Sequence, residues 1–114
     1  MRNLITVMCL LMLAACGANS LQELKASSYH RTTIVDGNYQ DVFRCYTPYM
    51  FGGRGHIYTE RKVAEHVYAT DGTWYGVAQF TQVTPNSTKI EMWHKIESII
   101  DRDYAWAVGC AQKS

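Results

Sequence analysis

Residues 65–80 read EHVYATDGTWYGVAQF. Asp71-Gly72 lies near the middle, with β-branched, aromatic and small residues alternating on both sides. Aspartate followed by glycine accepts the positive φ angles that a two-residue hairpin turn demands. The alternation on either side is the period-two signature of strands. This stretch sets the fold class, because it places antiparallel sheet at the middle of the chain. A two-residue turn pairs Thr70 with Thr73, Tyr68 with Tyr75 and His66 with Val77.

Toward the C terminus, QVTPNSTKIEMW (82–93) reads as a second hairpin, with PNST as a four-residue turn. That register sets Val83 opposite Ile90, Thr81 opposite Met92 and Gln79 opposite His94. Asn86-Ser87-Thr88 matches a glycosylation sequon, but Pro85-Asn86 already carries turn chemistry, and the tripeptide is read as a turn. A further strand is expected around His56–Arg61. Toward the N terminus, Val35, Tyr39, Val42, Tyr46 and Tyr49 recur at helical spacing. Asp36 is the expected cap, and Pro48 ends the helix. FGGRG (51–55) then breaks the chain. After the strands, Ile100, Tyr104, Ala107, Val108 and Ala111 share a helical face, with Asp101 or Asp103 in the first turn and Gly109 permitting close packing.

The expected fold is therefore α+β: a four-stranded antiparallel meander flanked by an N-terminal and a C-terminal helix packed on one face. The hairpin registers assign Tyr68, Tyr75, Val77, Val83, Ile90, Met92 and Ile96 to the helix-covered face. They leave Trp74, Phe80, Gln82, Lys89, Glu91, Trp93 and Lys95 on an open one. Trp74, Phe80 and Trp93 together form the expected partner surface, since exposed aromatic patches mark interaction sites. A one-residue slip at either turn would exchange the two sets.

The chain begins MRNLITVMCLLMLAAC. Residues 4–15 form an apolar run too short to span a bilayer. Arg2 precedes it, and the small residues Ala14 and Ala15 follow, as in an export leader. Leu13-Ala14-Ala15-Cys16 resembles the lipobox of bacterial lipoproteins. The resemblance implies that the Cys16 thiol takes a diacylglycerol, that a dedicated peptidase reads Leu13, Ala14 and Ala15 and cuts before Cys16, and that the new amino group is acylated too. Gly17, in place of the aspartate that favours inner-membrane retention in enterobacterial members, implies the outer membrane. Residues 1–15 are then the leader, 16–33 a lipidated start and tether, and 34–114 one small domain.

Arg2 is the only charged residue in that leader, so Lys plus Arg falls from 11 to 10 on processing and equals the 10 Asp plus Glu. A neutral chain has no electrostatic footprint for nucleic acid. The expected membrane partner is reached through acyl chains on Cys16, with another envelope protein as a further partner. Of the four cysteines, Cys9 leaves with the leader and Cys16 carries lipid. Cys45 and Cys110 remain in an oxidising compartment and are expected to bond. Two buried thiols or a metal pair are the alternatives, though no CxxC or histidine spacing favours metal.

No nucleophile elbow, phosphate loop or paired-histidine zinc motif occurs. GGRG (52–55) lacks the lysine and hydroxyl of a phosphate loop. No catalytic residue, cofactor or metal is assigned. The chain loosely resembles small proteobacterial lipoproteins with a cysteine in an early helix, a β-meander and a cysteine near the end, which implies a fold and no activity. The expected function is a non-enzymatic outer-membrane lipoprotein on the periplasmic face, acting as an interaction or structural module. One alternative is an inhibitor of a lytic enzyme such as lysozyme, although the Ser-Gly-x-x-Tyr segment of that inhibitor family is missing. The other is a small-ligand or metal binder using His66, His94 and Gln79.

Overall fold

In a computed structural model describing residues 18, 20–50 and 53–113, the Asp71-Gly72 turn forms as expected. Asp71 has φ 52° and Gly72 φ 78°, and Thr70 pairs with Thr73. The turn joins β3 (Val63–Thr70) to β4 (Thr73–Thr84). Beyond it the pairing departs from expectation. Tyr75 bulges out, so Tyr68 pairs with Gly76 and His66 with Ala78. At the far end of β4 the connection to β5 (Ser87–His94) has only two residues, Pro85-Asn86, between Thr84 and Ser87. Side chains make the tight turn. The Thr84 amide donates to Ser87 Oγ at 3.1 Å, and the two hydroxyls lie 2.7 Å apart. Val83 bulges in its turn, and Phe80 pairs with Ile90.

Each bulge adds one unpaired residue and moves the rest of the strand to the opposite face. Tyr68, Ile90 and Met92 stay on the helix-covered face, as expected. Phe80 joins them at 0 % exposure, against the expectation of an open position. Val77 moves to the other face, while Tyr75, Val83 and Ile96, expected in the core, are solvent-exposed.

The sheet has five strands, not four, in the order β1-β5-β4-β3-β2, all antiparallel. The added strand is β1 (Tyr29–Asp36), paired along β5 from Tyr29–His94 to Asp36–Ser87. It comes largely from the stretch expected to be a tether. Its β-branched run Thr32-Thr33-Ile34-Val35 favours a strand over a coil. The other edge is β2 (Arg54–Tyr58), two residues earlier than expected. Before β1, α1 (Leu21–Ser27) is capped by Ser20, whose hydroxyl accepts from the Glu23 amide. Residues 18 and 20–33 therefore belong to the folded unit.

One face of the sheet carries α2 (Tyr39–Tyr46) and α3 (Glu97–Lys113), the two expected helices. Helix α2 starts later than expected, because Val35 belongs to β1 and Asn38, not Asp36, caps it through the Gln40 amide at 2.9 Å. Tyr39, Val42, Phe43 and Tyr46 pack against Ala64, Ala78, Phe80, Ile90 and Met92. Helix α3 contributes Ile100, Ala107 and Cys110. Arg31 of β1 pairs with Asp101 at 3.0 Å, and Tyr104 Oη donates to the Thr32 carbonyl at 3.3 Å, so α3 is tied to the added strand.

Cys45 and Cys110 form a disulfide with a Cα–Cα distance of 5.7 Å, joining α2 to α3 across 65 residues. By loop-closure reasoning such a link contributes about 4 kcal/mol. Gly109 beside it does not mediate close packing as expected, since an added Cβ there would meet nothing within 4 Å. Gly76 is the reverse case: a Cβ there would collide with His94 Cδ2.

These surroundings make opposite predictions for two glycines. Gly109→Ala raises stability by about 1 kcal/mol, since alanine is the better helix former and nothing obstructs it. Gly76→Ala lowers it by roughly 1–3 kcal/mol, because the buried His94 ring must move. Chemical denaturation of both variants with the disulfide intact checks the pair, and equal signs would contradict the packing described. Reducing the disulfide lowers the wild-type unfolding free energy by about 4 kcal/mol, measured by the same method.

Candidate functional site

The sheet face away from α2 and α3 holds the site. Strand alternation brings Arg54, His56 and Tyr58 of β2 beside Glu65, Val67 and Ala69 of β3, and the hairpin adds Asp71, Gly72 and Trp74. Together they line an open groove of about 390 Å³. Its lining mixes the apolar Val67, Ala69 and Trp74 with both charge signs, Arg54 against Glu65 and Asp71.

Trp74, which walls the groove, is held from behind by Ala18. Ala18 and Trp74 exchange two backbone hydrogen bonds: the Ala18 amide donates to the Trp74 carbonyl at 3.1 Å, and the Trp74 amide donates to the Ala18 carbonyl at 2.6 Å. Helix α1 comes next and lays Leu24 on Val77 and Trp93, with Leu21, Val67 and Trp74 around them. This second apolar cluster covers the middle of the face and leaves the β2–β3 side open. Val67 and Trp74 belong both to the cluster and to the groove.

Polar contacts order the surroundings. Gln79 Nε2 donates to Glu65 Oε2 at 2.8 Å, and Lys25 Nζ of α1 donates to Gln79 Oε1 at 3.4 Å. Lys25 also lies 4.3 Å above the Trp93 ring, a cation–π contact. Trp93 also stacks with His30 at 4.7 Å, and His30 Nε2 is 3.3 Å from Glu91. In the groove, Tyr58 lies against His56 at 4.3 Å, and the Arg61 guanidinium sits 4.1 Å from the Tyr58 ring. Flat ring faces beside cations suit aromatic or extended polar ligands. Among the described residues the outer edge of β2 pairs with no strand, and such an edge can accept an added strand.

The expected partner surface of Trp74, Phe80 and Trp93 is not assembled. Phe80 lies in the opposite core, edge-on to Phe43 at 5.5 Å, because the Tyr75 and Val83 bulges change its face. Trp93 keeps its face but is 7 % exposed beneath Lys25 and α1. Trp74 alone borders open space, as the groove wall. His66 and His94 fall on the helix-covered face, as expected, whereas Gln79 faces the other way and cannot join them in one site. Among the described residues, no three His, Cys, Asp or Glu side chains converge as a metal would require. The lipobox residues Leu13, Ala14, Ala15 and Cys16 lie outside the described residues. Sequence reading overlooked Arg54, His56 and Tyr58, although R-x-H-x-Y at period two was a signal that they share a face.

Beneath α3 lies a second group of polar residues, the buried Tyr46, His66, His94 and Asp103 with the half-buried Tyr68. They surround or adjoin a cavity of only about 10 Å³. Burial raises the Tyr46 hydroxyl far above its ordinary value, with Tyr68 and Asp103 adding to the effect, and burial pushes Tyr68 up to about 12. Burial lowers both histidines, against the opposing charge of Asp103. His94 Nδ1 accepts the Ile96 amide at 2.9 Å, so the neutral ring carries its proton on Nε2. Asp103 takes a hydrogen bond from Arg102 Nε at 3.2 Å. The pocket is too small for a substrate, and the group serves as core.

No protein-family model matches the chain, and no curated protein matches it.

The lowered histidines predict an acid-sensitive fold. The unfolded chain protonates them near pH 6.5, whereas the folded one resists. Below that pH the unfolded state binds more protons, so stability is complete above about 6.5 and falls as pH drops toward the folded values. Each histidine contributes a slope of at most about 1.4 kcal/mol per pH unit. Melting temperatures between pH 7.5 and 5.0 should decline, and His66→Gln with His94→Gln should flatten the decline. An unchanged slope in the double variant would assign the acid sensitivity elsewhere.

Proposed function

We propose that this protein is a non-enzymatic, lipid-anchored component of the bacterial outer membrane that faces the periplasm and binds another envelope component through the groove beside Trp74. The groove carries the reading: it joins apolar side chains, the Tyr58 and Trp74 rings, charged groups of both signs and a strand edge unpaired among the described residues in one open cleft. Export is supported by the apolar leader with its small-residue exit and by the Cys45–Cys110 disulfide, a bond that persists in oxidising compartments. Lipid anchoring rests on Leu13-Ala14-Ala15-Cys16. Among the described residues no helix is long and apolar enough to cross a membrane. Two or more acyl chains on Cys16 would anchor the chain stably.

A partner lying in the groove would place an extended segment along β2, adding main-chain hydrogen bonds, and would set side chains against Tyr58 and Trp74. Arg54 and His56 at the rim would select acidic or polar groups.

Two measurements test the reading. The intact mass of the protein from native membranes should equal residues 16–114 plus three acyl chains and glycerol. In cells, a photo-crosslinking amino acid at position 56 should capture a discrete partner that the same group at position 86, on the remote β4–β5 turn, does not. Arg54→Glu should reduce that adduct several-fold while leaving the melting temperature unchanged. Identical capture at both positions would remove the groove from consideration.

A further inference from the structure

If Cys16 is acylated, as proposed above, the fold dictates how the domain meets the bilayer. The bridge that fastens Ala18 to Trp74 lies two residues after Cys16, and Ala18 is only 3 % exposed. Two peptide units reach about 7 Å at full extension. The acyl attachment point is therefore held within about 7 Å of Ala18, at the hairpin end of the sheet.

A separate observation marks the same end. Three of the five exposed large apolar side chains among the described residues lie there, Tyr29 at 47 %, Tyr75 at 39 % and Ile96 at 50 %, while Ile34 and Val83 lie toward the other end. Tyr29 starts β1 opposite His94, and the Tyr75 carbonyl accepts the Lys95 amide at 3.0 Å, next to Ile96. All three thus sit around the ends of β1, β4 and β5 nearest the Asp71-Gly72 turn. Tyr75 is the residue extruded by the bulge, so the irregularity that shifts the register also presents an aromatic ring at this rim. Tyrosine and tryptophan favour the membrane–water interface, where an apolar ring meets a polar tip. Arg54, Trp74 and Lys95 flank the rim.

We propose that this rim is a membrane-docking surface, seated on the lipid headgroups of the leaflet that holds Cys16. Tyr29, Tyr75 and Ile96 enter the interface, and the short leash from Cys16 to Ala18 holds them there. Strand β4 then stands away from the bilayer. At about 3.3 Å per residue its 12 residues carry the Pro85-Asn86 turn roughly 35 Å outward. The mouth of the groove, at Arg54, Asp71 and Trp74, opens beside the headgroups and not into the bulk periplasm.

Nitroxide labels on Thr70→Cys and Asn86→Cys test this in the full acylated protein. The protein is reconstituted in phosphatidylethanolamine–phosphatidylglycerol vesicles that include a nickel-chelating lipid, and acylation is first verified by mass. Nickel at the headgroups should speed relaxation of the label at 70 several-fold and leave the label at 86 unaffected. Replacing Tyr29, Tyr75 and Ile96 together by serine should weaken the effect at 70 without altering the melting temperature. An acylated protein whose two labels relax alike would overturn the docking and leave the anchor intact. An unmodified Cys16 would remove both.

Discussion

The parity of β4 governs the molecule. This central strand pairs with β3 on one side and β5 on the other, and it carries a bulge next to each of its two-residue turns. Because side chains alternate with period two, the extruded Tyr75 and Val83 decide which residues face the helices. Phe80 turns inward to meet Phe43 and Tyr46 at ring distances of 5.5 and 5.2 Å. Val77 turns outward and becomes the seat of Leu24. Without both bulges Phe80 would turn to the opposite face, and α2 would lose the ring contacts of Phe43 and Tyr46 with it.

From that parity comes a two-sided sheet with different partners on each face. Two helices joined by a disulfide cover one face, and the opening segment of the chain covers part of the other. The first cover is strong, since it combines a continuous apolar core with a covalent link. The second is lighter: one short helix, a two-bond bridge and a cation over an indole. The partial cover leaves the groove, because α1 is too short to reach β2. What remains open is a cleft walled by Trp74 and floored by strands.

Polar residues are distributed by the same division. On the helix side, Tyr46, His66, His94 and Asp103 are buried and Tyr68 half-buried about a cavity too small to admit a ligand, and burial lowers the pKa of both histidines. On the groove side, Arg54 and His56 are exposed. A titratable residue near the helices therefore bears on stability, whereas those on β2 face solvent and line the groove.

By itself the sequence determined the antiparallel core of the fold, the Asp71-Gly72 turn, the two main helices and the Cys45–Cys110 pair, since each rests on local spacing or on elimination among few cysteines. It also carries the apolar run of residues 4–15 and the Leu13-Ala14-Ala15-Cys16 pattern, on which the proposed export and anchoring rest. Only the tertiary structure decided the bulges, the fifth strand and therefore the site. A bulge is chosen by what the strand must bury against its neighbours, and Tyr75 looks like any other alternating aromatic until Phe80 has a helix to meet. The strand over Tyr29–Asp36 was masked because its edge position leaves one side in water and its sequence polar. The groove was invisible for the same reason. Arg54, His56 and Tyr58 acquire meaning only when β2 is set beside β3 and α1 stops short of it.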